Sequence, residues 1–380
     1  MAQILATNGS IVEATLAANR PKQAHGTPPK PAVGPIFGPA ASHVTDQTSG
    51  QPVEPPAWQT ALKRAIRSGR ELCQALNLPP ELASPGAEVD FPLFAPWEYV
   101  ARMTPGDPHD PLLLQVLAGE QELAPQPNAL RDPVGDGQAE RLPGLLHKYD
   151  RRVLMITTGA CAIHCRYCFR RHYPYDTAPR GREGWGNSLR SIADDSSLDE
   201  VILSGGDPLT LADSSLAWLT EQIGAIEHIR RLRIHTRLPV VIPQRVCAEL
   251  LDWVQQSQLA VYFVLHFNHA AEINQPVKTA LRQLRQAGAN LLNQAVMLRG
   301  VNDSCEAQSE LCLSLANEQV VPYYVHQLDP VQGAMHFAVP DATAVGIMAD
   351  LQSKLPGYAV PKLVREIAGQ PSKTWITHTA

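Results

Sequence analysis

The stretch Cys161-Ala-Ile-His-Cys165-Arg-Tyr-Cys168 follows the apolar run over residues 153–157 and spaces three cysteines as C-x3-C-x2-C. The run has the length and β-branched character of a buried strand, which places the cysteines on the loop at its carboxyl end. Three thiolates on one loop can hold three irons of a cubane iron–sulfur cluster and leave the fourth iron open. A structural zinc ion needs four ligands, so zinc stays an alternative with His164 or His172 as the fourth.

Five more short apolar runs follow the first, over residues 201–204, 232–236, 261–266, 291–298 and 321–327. After a first interval of 48 residues, their starts are 31, 29, 30 and 30 residues apart, with helix-like stretches over 214–226, 244–256 and 276–287 between them. An interval of about 30 residues fits one strand and its crossover helix. Six such units predict an α/β fold, a partial (β/α)6 barrel with its chemistry at the carboxyl ends of the strands.

The chain outside the barrel divides by composition. Residues 1–56 are rich in Ala, Pro, Gly, Thr and Gln, with few apolar residues at helical spacing, which predicts disorder. Over residues 58–78, apolar residues recur at helical spacing, which predicts one helix that Pro79 and Pro80 end. The predicted organisation is a disordered arm over 1–56, an N-terminal helical region over 57–147, the barrel over 148–330 and a C-terminal segment over 331–380.

Composition and charge narrow the function classes. The 380 residues include 32 Lys and Arg and 37 Asp and Glu, a net charge of −5, which offers no basic field for nucleic acid. The longest apolar run, residues 259–265, is too short to cross a membrane, and no basic-then-apolar signal begins the chain. We therefore expect a cytoplasmic protein without nucleic-acid or membrane partners.

Cysteine usage points to a metal or redox role. Seven cysteines, an odd number in a long chain without a secretion signal, argue against a disulfide framework. The four outside the motif are scattered, and a free cysteine packs as a small apolar side chain. Core positions are therefore predicted for Cys73, Cys247, Cys305 and Cys312.

The cysteine motif, with an aromatic residue just before its third cysteine and its place after the first barrel strand, resembles that of the radical S-adenosylmethionine (SAM) enzymes. The resemblance implies a 4Fe–4S cluster on Cys161, Cys165 and Cys168 whose open iron binds SAM. One electron from the cluster then cleaves SAM to a 5′-deoxyadenosyl radical, an oxidant that protein groups alone do not supply.

The segment Ser204-Gly205-Gly206-Asp207, at the end of the second predicted strand, is by itself typical of a tight turn. Beside the cysteine motif it resembles the glycine segment that meets SAM, where the backbone must approach the ligand. His266 and Gln294, at the ends of the fourth and fifth strands, match SAM-proximal positions. A histidine there could equally be a core residue.

Further segments resemble the lysine 2,3-aminomutase family over about residues 58–378, among them Gly144-Leu-Leu-His-Lys148-Tyr149, Arg233-Ile-His-Thr-Arg237, His266-Phe-Asn-His269 and Gly357-Tyr-Ala-Val-Pro361. The resemblance implies an isomerase that uses pyridoxal phosphate (PLP) as a further cofactor and free L-lysine as substrate, with a reductase or flavodoxin as electron donor. One subgroup fits best, the aminomutase that makes (R)-β-lysine for a separate ligase to attach to elongation factor P. Its likeness lies in segments such as Val331-Gln-Gly-Ala-Met-His-Phe337 and Val360-Pro-Lys-Leu-Val-Arg-Glu-Ile367.

The resemblance also implies residues for PLP. Lys373 matches the lysine that binds PLP, although most of the family's neighbouring glycines are absent here and Lys362 is a competing choice. A lysine in that role needs a desolvated amine of lowered pKa. Lys148 and Arg152 match phosphate-binding positions, and Tyr149 matches an aromatic near the PLP ring or is a packing residue.

Recognition of lysine would be electrostatic. Arg170 matches the guanidinium that binds the substrate carboxylate, which a guanidinium can hold with two hydrogen bonds. Asp329 and Glu366 match acidic residues for the ε-ammonium, Glu366 with a longer carboxylate than the family has there. Taken alone, Arg170 could be a surface cation and Asp329, before a proline, could begin a turn.

Three other functions stay open. An aminomutase for glutamate or another amino acid would share the cofactors but would lack an acidic pair for ammonium. A radical SAM enzyme without PLP would leave Lys373 idle. A zinc-stabilised, non-catalytic binding module would hold zinc at the cysteines instead of iron.

Overall fold

Ten strands form one sheet whose spatial order equals their order in the chain. The computed structural model describes residues 56–377, and the predicted arm over residues 1–56 lies outside them except for Pro56. The strands are β1 (Glu140–Leu142), β2 (Leu145–Tyr149), β3 (Arg152–Thr158), β4 (Glu200–Gly205), β5 (Arg231–Thr236), β6 (Ala260–Leu265), β7 (Asn290–Val296), β8 (Val321–His326), β9 (Lys362–Arg365) and β10 (Thr374–Trp375). The α-helices are α1 (Ala57–Lys63), α2 (Gly69–Ala75), α3 (Pro85–Asp90), α4 (Trp97–Val100), α5 (Gly181–Ala193), α6 (Asp213–Gly224), α7 (Leu238–Val241), α8 (Ala248–Gln256), α9 (Gln275–Gln286), α10 (Cys305–Asn317) and α11 (Asp341–Lys354).

The six central strands, β3 to β8, are those predicted from the apolar runs, and each lies parallel to its neighbour. Their residues are apolar because helices cover the sheet; in β4, four consecutive residues are buried. Helix α9 shows the matching pattern, since it buries Val277, Ala280, Leu281 and Leu284 at helical spacing. The predicted α/β architecture is confirmed.

Four strands extend the sheet beyond the six predicted ones. Strands β1 and β2 add an antiparallel edge before β3, and β9 and β10 follow β8 at the other edge. The apolar pattern does not predict them because they are short; β10 has two residues, both exposed. The sheet therefore reaches into the segments on both sides of the predicted barrel.

The sheet curls until its two edges approach each other. Lys148 lies on β2 and Glu366 directly follows β9, yet the Lys148 ammonium lies 3.4 Å from a Glu366 carboxylate oxygen. In a flat sheet, strands seven places apart would be separated by about 34 Å. The curled sheet is the partial barrel, and its interior is where the site lies.

The region before β1 differs from its prediction. Residues 58–78 do not form one helix but two, α1 and α2, so the prediction of a single helix is wrong. Between them Ile66 forms an isolated antiparallel bridge with Ala95, with backbone hydrogen bonds of 2.8 and 3.0 Å. Ile66 is fully buried, because the bridge places its side chain in the core. The helical spacing of the apolar residues therefore predicts correctly that Ile66 is buried, but it does not predict the extended backbone there.

All seven cysteines are free thiols. Cys73, Cys305 and Cys312 are buried as predicted, and Cys247 is half-buried. Among residues 56–377, no helix combines the length and the apolar character that crossing a bilayer requires.

A buried carboxylate fastens the region before β1 to the cysteine loop, residues 159–171. Arg166 donates two hydrogen bonds to Glu122, of 2.7 and 2.6 Å, and Arg171 donates a third, of 2.9 Å. All three side chains are at most 3% exposed. Because buried charges are tolerated only when paired, this ion-pair cluster fixes the loop against residues 91–122.

We expect Glu122→Ala to lower the free energy of unfolding by about 3–5 kcal/mol, because it leaves two buried guanidinium groups without a carboxylate. Urea unfolding measures the change. Glu81→Ala, at an exposed glutamate, is the control and should change stability by less than about 0.5 kcal/mol. Equal effects of the two substitutions would contradict the role given to Glu122.

Candidate active site

A cavity of about 720 Å³ lies inside the curled sheet. It is lined by every residue that the sequence predicts for the site: Lys148, Tyr149, Arg152, Cys161, Cys165, Cys168, Arg170, Ser204, Gly205, Gly206, Asp207, His266, Gln294, Asp329, Glu366 and Lys373. The fold thus brings together residues from the second strand to the segment just before the last. Their individual roles stay predictions.

The two competing lysines lie in different surroundings. Lys373, just before β10, is half-buried and lines the cavity. Lys362, at the start of β9, is exposed, and its ammonium lies 5.0 Å from the ring centre of Trp375. The location favours Lys373 as the lysine that meets a bound cofactor.

The three motif cysteines crowd together where β3 ends. Burial raises the pKa of Cys161 well above its usual value, and Cys168 and Asp207 raise it further. Burial also raises the pKa of Cys168 to about 11, with Cys165 as the next cause. Thiolates here require a compensating positive charge, which iron supplies, so the donor set fits a cubane cluster.

The histidines considered as a fourth zinc ligand lie elsewhere. The His164 ring stacks on Phe91 with ring centres 5.0 Å apart, and its Nδ1 lies 2.8 Å from the carbonyl oxygen of Pro92. His172 Nε2 lies 3.2 Å from the carbonyl oxygen of Gln332. Within residues 56–377, no three His, Cys, Asp or Glu side chains converge on a single metal ion. A cubane needs no such convergence, because each thiolate binds a different iron.

Gly205, the last residue of β4, and Gly206, which follows it, lie against the backbone at the end of β3. A Cβ atom on Gly206 would lie 2.3 Å from the carbonyl oxygen of Ala160, and one on Gly205 would lie 2.5 Å from that of Thr158. Gly205 also has a φ of +118°, which favours glycine. The structure therefore gives both glycines a packing reason, separate from the predicted approach to SAM.

Asp207 joins the ends of β4 and β5. Its carboxylate accepts hydrogen bonds from the Thr236 hydroxyl and from the backbone N–H groups of Leu209, Arg237 and Leu238, at 2.7 to 3.0 Å. The side chain is buried, so these four bonds satisfy a group that would otherwise be costly to desolvate. A contact of Asp207 with SAM stays a prediction.

Five charged groups of alternating sign form an ion-pair network at the cavity, and all of them except Asp136 line it. Arg170 donates to Asp136 at 2.7 Å, and Lys148 lies 2.7 Å from the other oxygen of Asp136. Lys148 and Lys373 both pair with Glu366. Arg170 is therefore buried within an ion-pair network and is not a surface cation.

The network sets the protonation of its carboxylates. Burial alone would raise the pKa of Glu366, but Lys373 and Lys148 outweigh it and lower that pKa to about 2. Burial alone would likewise raise the pKa of Asp136, but Arg170 and Lys148 outweigh it and lower that pKa to about 2. Both groups are carboxylates at neutral pH and hold their cations by charge-assisted hydrogen bonds.

Sequence reasoning missed Asp136, which joins Arg170 to Lys148 in this network. It lies on a turn before β1, where Asp132 accepts hydrogen bonds of 2.9 Å from the N–H groups of Asp136 and Gly137. The available signal was local: Gly135, with a φ of +68°, and the aspartates around it form a turn motif in the sequence. This local turn motif does not predict that Arg170 and Lys148 are the partners of Asp136.

Five buried polar atoms of cavity-lining side chains lack partners within residues 56–377. Two are guanidinium Nε atoms, and the other three are Asp329 Oδ1, His235 Nε2 and His326 Nε2. Burial raises the pKa of Asp329 to about 7, with Glu366 as the next cause. Buried polar atoms without partners are uncommon, so this part of the cavity fits a polar ligand.

The two cations predicted to bind the PLP phosphate, Lys148 and Arg152, differ in whether they already have partners. Lys148 is occupied, since it also donates to the carbonyl oxygen of Val134 at 2.8 Å. The Arg152 guanidinium lies 4.8 Å from the ring centre of Tyr149 and forms no salt bridge within residues 56–377. Arg152 is thus the cation here that fits a phosphate group.

His266 is held by a neighbour at the cysteine loop. Its Nε2 lies 2.8 Å from the Tyr167 hydroxyl, and the two rings stack. Burial, followed by the charge of Arg237, lowers the pKa of His266 to about 3, so the ring is neutral. Gln294 lies on β7 and lines the same cavity.

Known proteins match this chain over most of its length. The family model described as the Radical SAM superfamily matches residues 155–309, which include the three motif cysteines. A protein of Escherichia coli named L-lysine 2,3-aminomutase is 45% identical over 83% of this chain and 93% of its own length. Proteins of that name from Haemophilus influenzae and Buchnera aphidicola are 44% and 41% identical, over 83% and 84% of this chain and 94% and 95% of theirs.

We expect Asp329→Asn to stabilise the protein at pH 8 by up to about 4 kcal/mol, the free energy that separates a folded-state pKa of about 7 from an unfolded-state pKa near 4. The folded protein holds this proton up to about pH 7, whereas the unfolded chain releases it near pH 4. Wild-type stability therefore falls as pH rises between those values, and asparagine removes that loss. Urea unfolding at pH 5 and pH 8 measures the difference.

Asp252→Asn, at an exposed aspartate of α8, is the matched control and should show no such pH dependence. A stabilisation by Asp329→Asn that is the same at both pH values would show that ionisation of Asp329 is not its cause.

Proposed function

Because this chain belongs to the lysine 2,3-aminomutase family of radical SAM enzymes, and is thus an isomerase, we propose that it converts free L-α-lysine into (R)-β-lysine. The observation that carries the proposal is the content of one cavity. The three motif thiols, an arginine, a lysine and two acidic residues all line it. These are the groups that a cluster, PLP and an amino acid with a second ammonium group require.

Each cofactor would be held by residues already described. Cys161, Cys165 and Cys168 would hold the 4Fe–4S cluster, while Lys373 and Arg152 would hold PLP. When bound, the cluster and SAM supply a radical oxidant, and PLP supplies a conjugated group for the migrating nitrogen. The chain itself binds, orients and encloses the reactants.

Arg170 would bind the substrate carboxylate. Its Nε and Nη1 donate to Asp136 and to the Ser204 hydroxyl, and Nη2 has no hydrogen-bond partner within residues 56–377. Asp136 is shared between two cations, so Arg170, Asp136 and Lys148 together carry a net positive charge. That charge and the free donor favour a carboxylate ligand.

Asp329 and Glu366 would receive the ε-ammonium. Glu366 is paired with Lys373 in the structure, so engagement of Lys373 with PLP frees an oxygen of Glu366 for another ammonium group. Asp329 has an unpartnered oxygen in the same part of the cavity. A second substrate carboxylate, as in glutamate, would meet like charge here, which disfavours the alternative substrate.

We further propose that a separate ligase attaches the (R)-β-lysine to elongation factor P. The electron that reduces the cluster would come from a reductase or a flavodoxin. The support is sequence likeness in the segments over residues 165–175, 331–337 and 360–367. The acidic net charge of −5 accords with a role that needs no contact with nucleic acid.

Turnover under anaerobic conditions tests the function. Iron-reconstituted protein is given SAM, PLP, a strong reductant and L-lysine, and β-lysine is separated by chiral chromatography. We expect (R)-β-lysine from the wild type and from Lys362→Ala, and a loss of at least about 100-fold in Lys373→Ala. Borohydride reduction followed by peptide mapping should place PLP on Lys373.

An intact cluster that cleaves SAM without forming β-lysine would overturn lysine as the substrate. Loss of activity in Lys362→Ala, with Lys373→Ala active, would reverse the assignment of the two lysines. Parallel incubation with glutamate distinguishes the alternative aminomutase.

A further inference from the structure

Arg237 touches a motif cysteine and is not used in the proposed reaction. Its Nη1 donates a hydrogen bond to the sulfur of Cys165 at 2.8 Å. Its Nη2 donates to Glu272 at 2.6 Å, to the Gln115 side-chain oxygen at 2.7 Å and to the Tyr99 hydroxyl at 3.1 Å. The residue is 6% exposed, so this guanidinium acts in a region that excludes water.

The guanidinium is fixed from all sides. Asp207 accepts the backbone N–H of Arg237, and the rings of Tyr99 and Tyr167 lie 5.4 and 5.8 Å from the guanidinium carbon. Glu272 is fully buried and accepts the backbone N–H groups of Asn268 and His269. A side chain so constrained presents its charge to Cys165 without a cost of reorganisation.

Cys165 is singled out by this contact. Within residues 56–377, no other side chain donates a hydrogen bond to a sulfur of the three motif cysteines. The Nε of Arg237 is buried and has no acceptor in the same range of residues, so the guanidinium keeps one donor unused. Both facts point to a sulfur-rich, negatively charged neighbour at this place.

We propose that Arg237 is a positioning residue that acts through Cys165 to raise the reduction potential of the cluster. The step is the gain of one electron by the cluster, from the 2+ to the 1+ state, with no bond made or broken and the electron supplied by the external donor. Added negative charge spreads onto the sulfurs, where a buried cation and a hydrogen bond stabilise it. The proposal rests on the proposed function only through the presence of the cluster.

The contrasting role is purely structural, in which Arg237 neutralises Glu272 and fills a buried space. The two roles differ in one measurable quantity. A structural role changes folding and the yield of cluster, whereas the proposed role changes the potential of clusters that have formed. Removing Glu272 should also act in the opposite direction, because it leaves the guanidinium charge uncompensated.

An anaerobic redox titration of the reconstituted full-length protein, followed by electron paramagnetic resonance of the reduced cluster, tests the proposal. At a fixed potential we expect Arg237→Gln to lower the ratio of reduced to oxidised cluster about tenfold, which is 59 mV for one electron. Arg237→Lys, which keeps the charge but not the planar fork, should give a smaller decrease. Glu272→Gln should raise the ratio.

Arg102→Gln is the matched control. Arg102 is half-buried beside the same cluster and donates to the carbonyl oxygens of Glu272 and Val240, at 2.6 and 2.8 Å, without touching a sulfur. We expect it to change the ratio less than twofold. A shift as large as that of Arg237→Gln would overturn the proposal, since the sulfur contact would then not be the cause.

An unchanged ratio in Arg237→Gln with a full complement of iron and sulfide also overturns it. If Arg237→Gln fails to fold, the same redox titration is made with Arg237→Lys and Glu272→Gln. The proposal is then rejected if neither variant changes the ratio of reduced to oxidised cluster. Wild-type protein that binds no iron and sulfide would contradict the cluster, and with it the proposed function, before any potential is measured.

Discussion

The cavity depends on two carboxylates that each hold two cations. Asp136 joins Arg170 to Lys148, and Glu366 joins Lys148 to Lys373. These groups come from the turn before the sheet, from its second strand, from the cysteine loop and from the segment between its last two strands. Backbone hydrogen bonds order the strands but leave the two edges of the sheet unpaired with each other. The ion pairs connect those edges, and because removing one member would strand a buried charge, they hold the curl in place.

Buried carboxylates also act around the cysteine loop. Glu122 holds two cations of the loop, Arg166 and Arg171. Glu272 holds one cation, Arg237, which lies outside the loop and donates a hydrogen bond to the sulfur of Cys165. Neither carboxylate belongs to the loop, so the region before the sheet and the turn after β6 both act on it. The loop that would carry the cluster is therefore tied to two distant parts of the chain, while the thiols themselves line the cavity.

The features that the sequence predicts are those whose pattern lies within a short stretch of residues. Strands β3 to β8 were predictable because each is a run of apolar residues and their spacing repeats. Strands β9 and β10 were not, because they are four and two residues long. The site residues came from motifs and family likeness, yet Asp136 escaped, since its pairing with Arg170 spans 34 positions and leaves no periodic trace. The bridge at Ile66 escaped for a similar reason: its partner, Ala95, gives no sign of the pairing in the sequence around Ile66.

The ion-pair network also bears on how the protein responds to its solution. Mobile salt ions shield charges on a surface within about 8 Å at physiological ionic strength, but they shield enclosed charges far less. The charges in the cavity lie in the enclosed class, with side chains that are 3 to 23% exposed. The exposed charged side chains among residues 56–377 lie in the other class. Ionic strength therefore acts on how often a charged molecule arrives at the protein, and hardly on how firmly the cavity holds it.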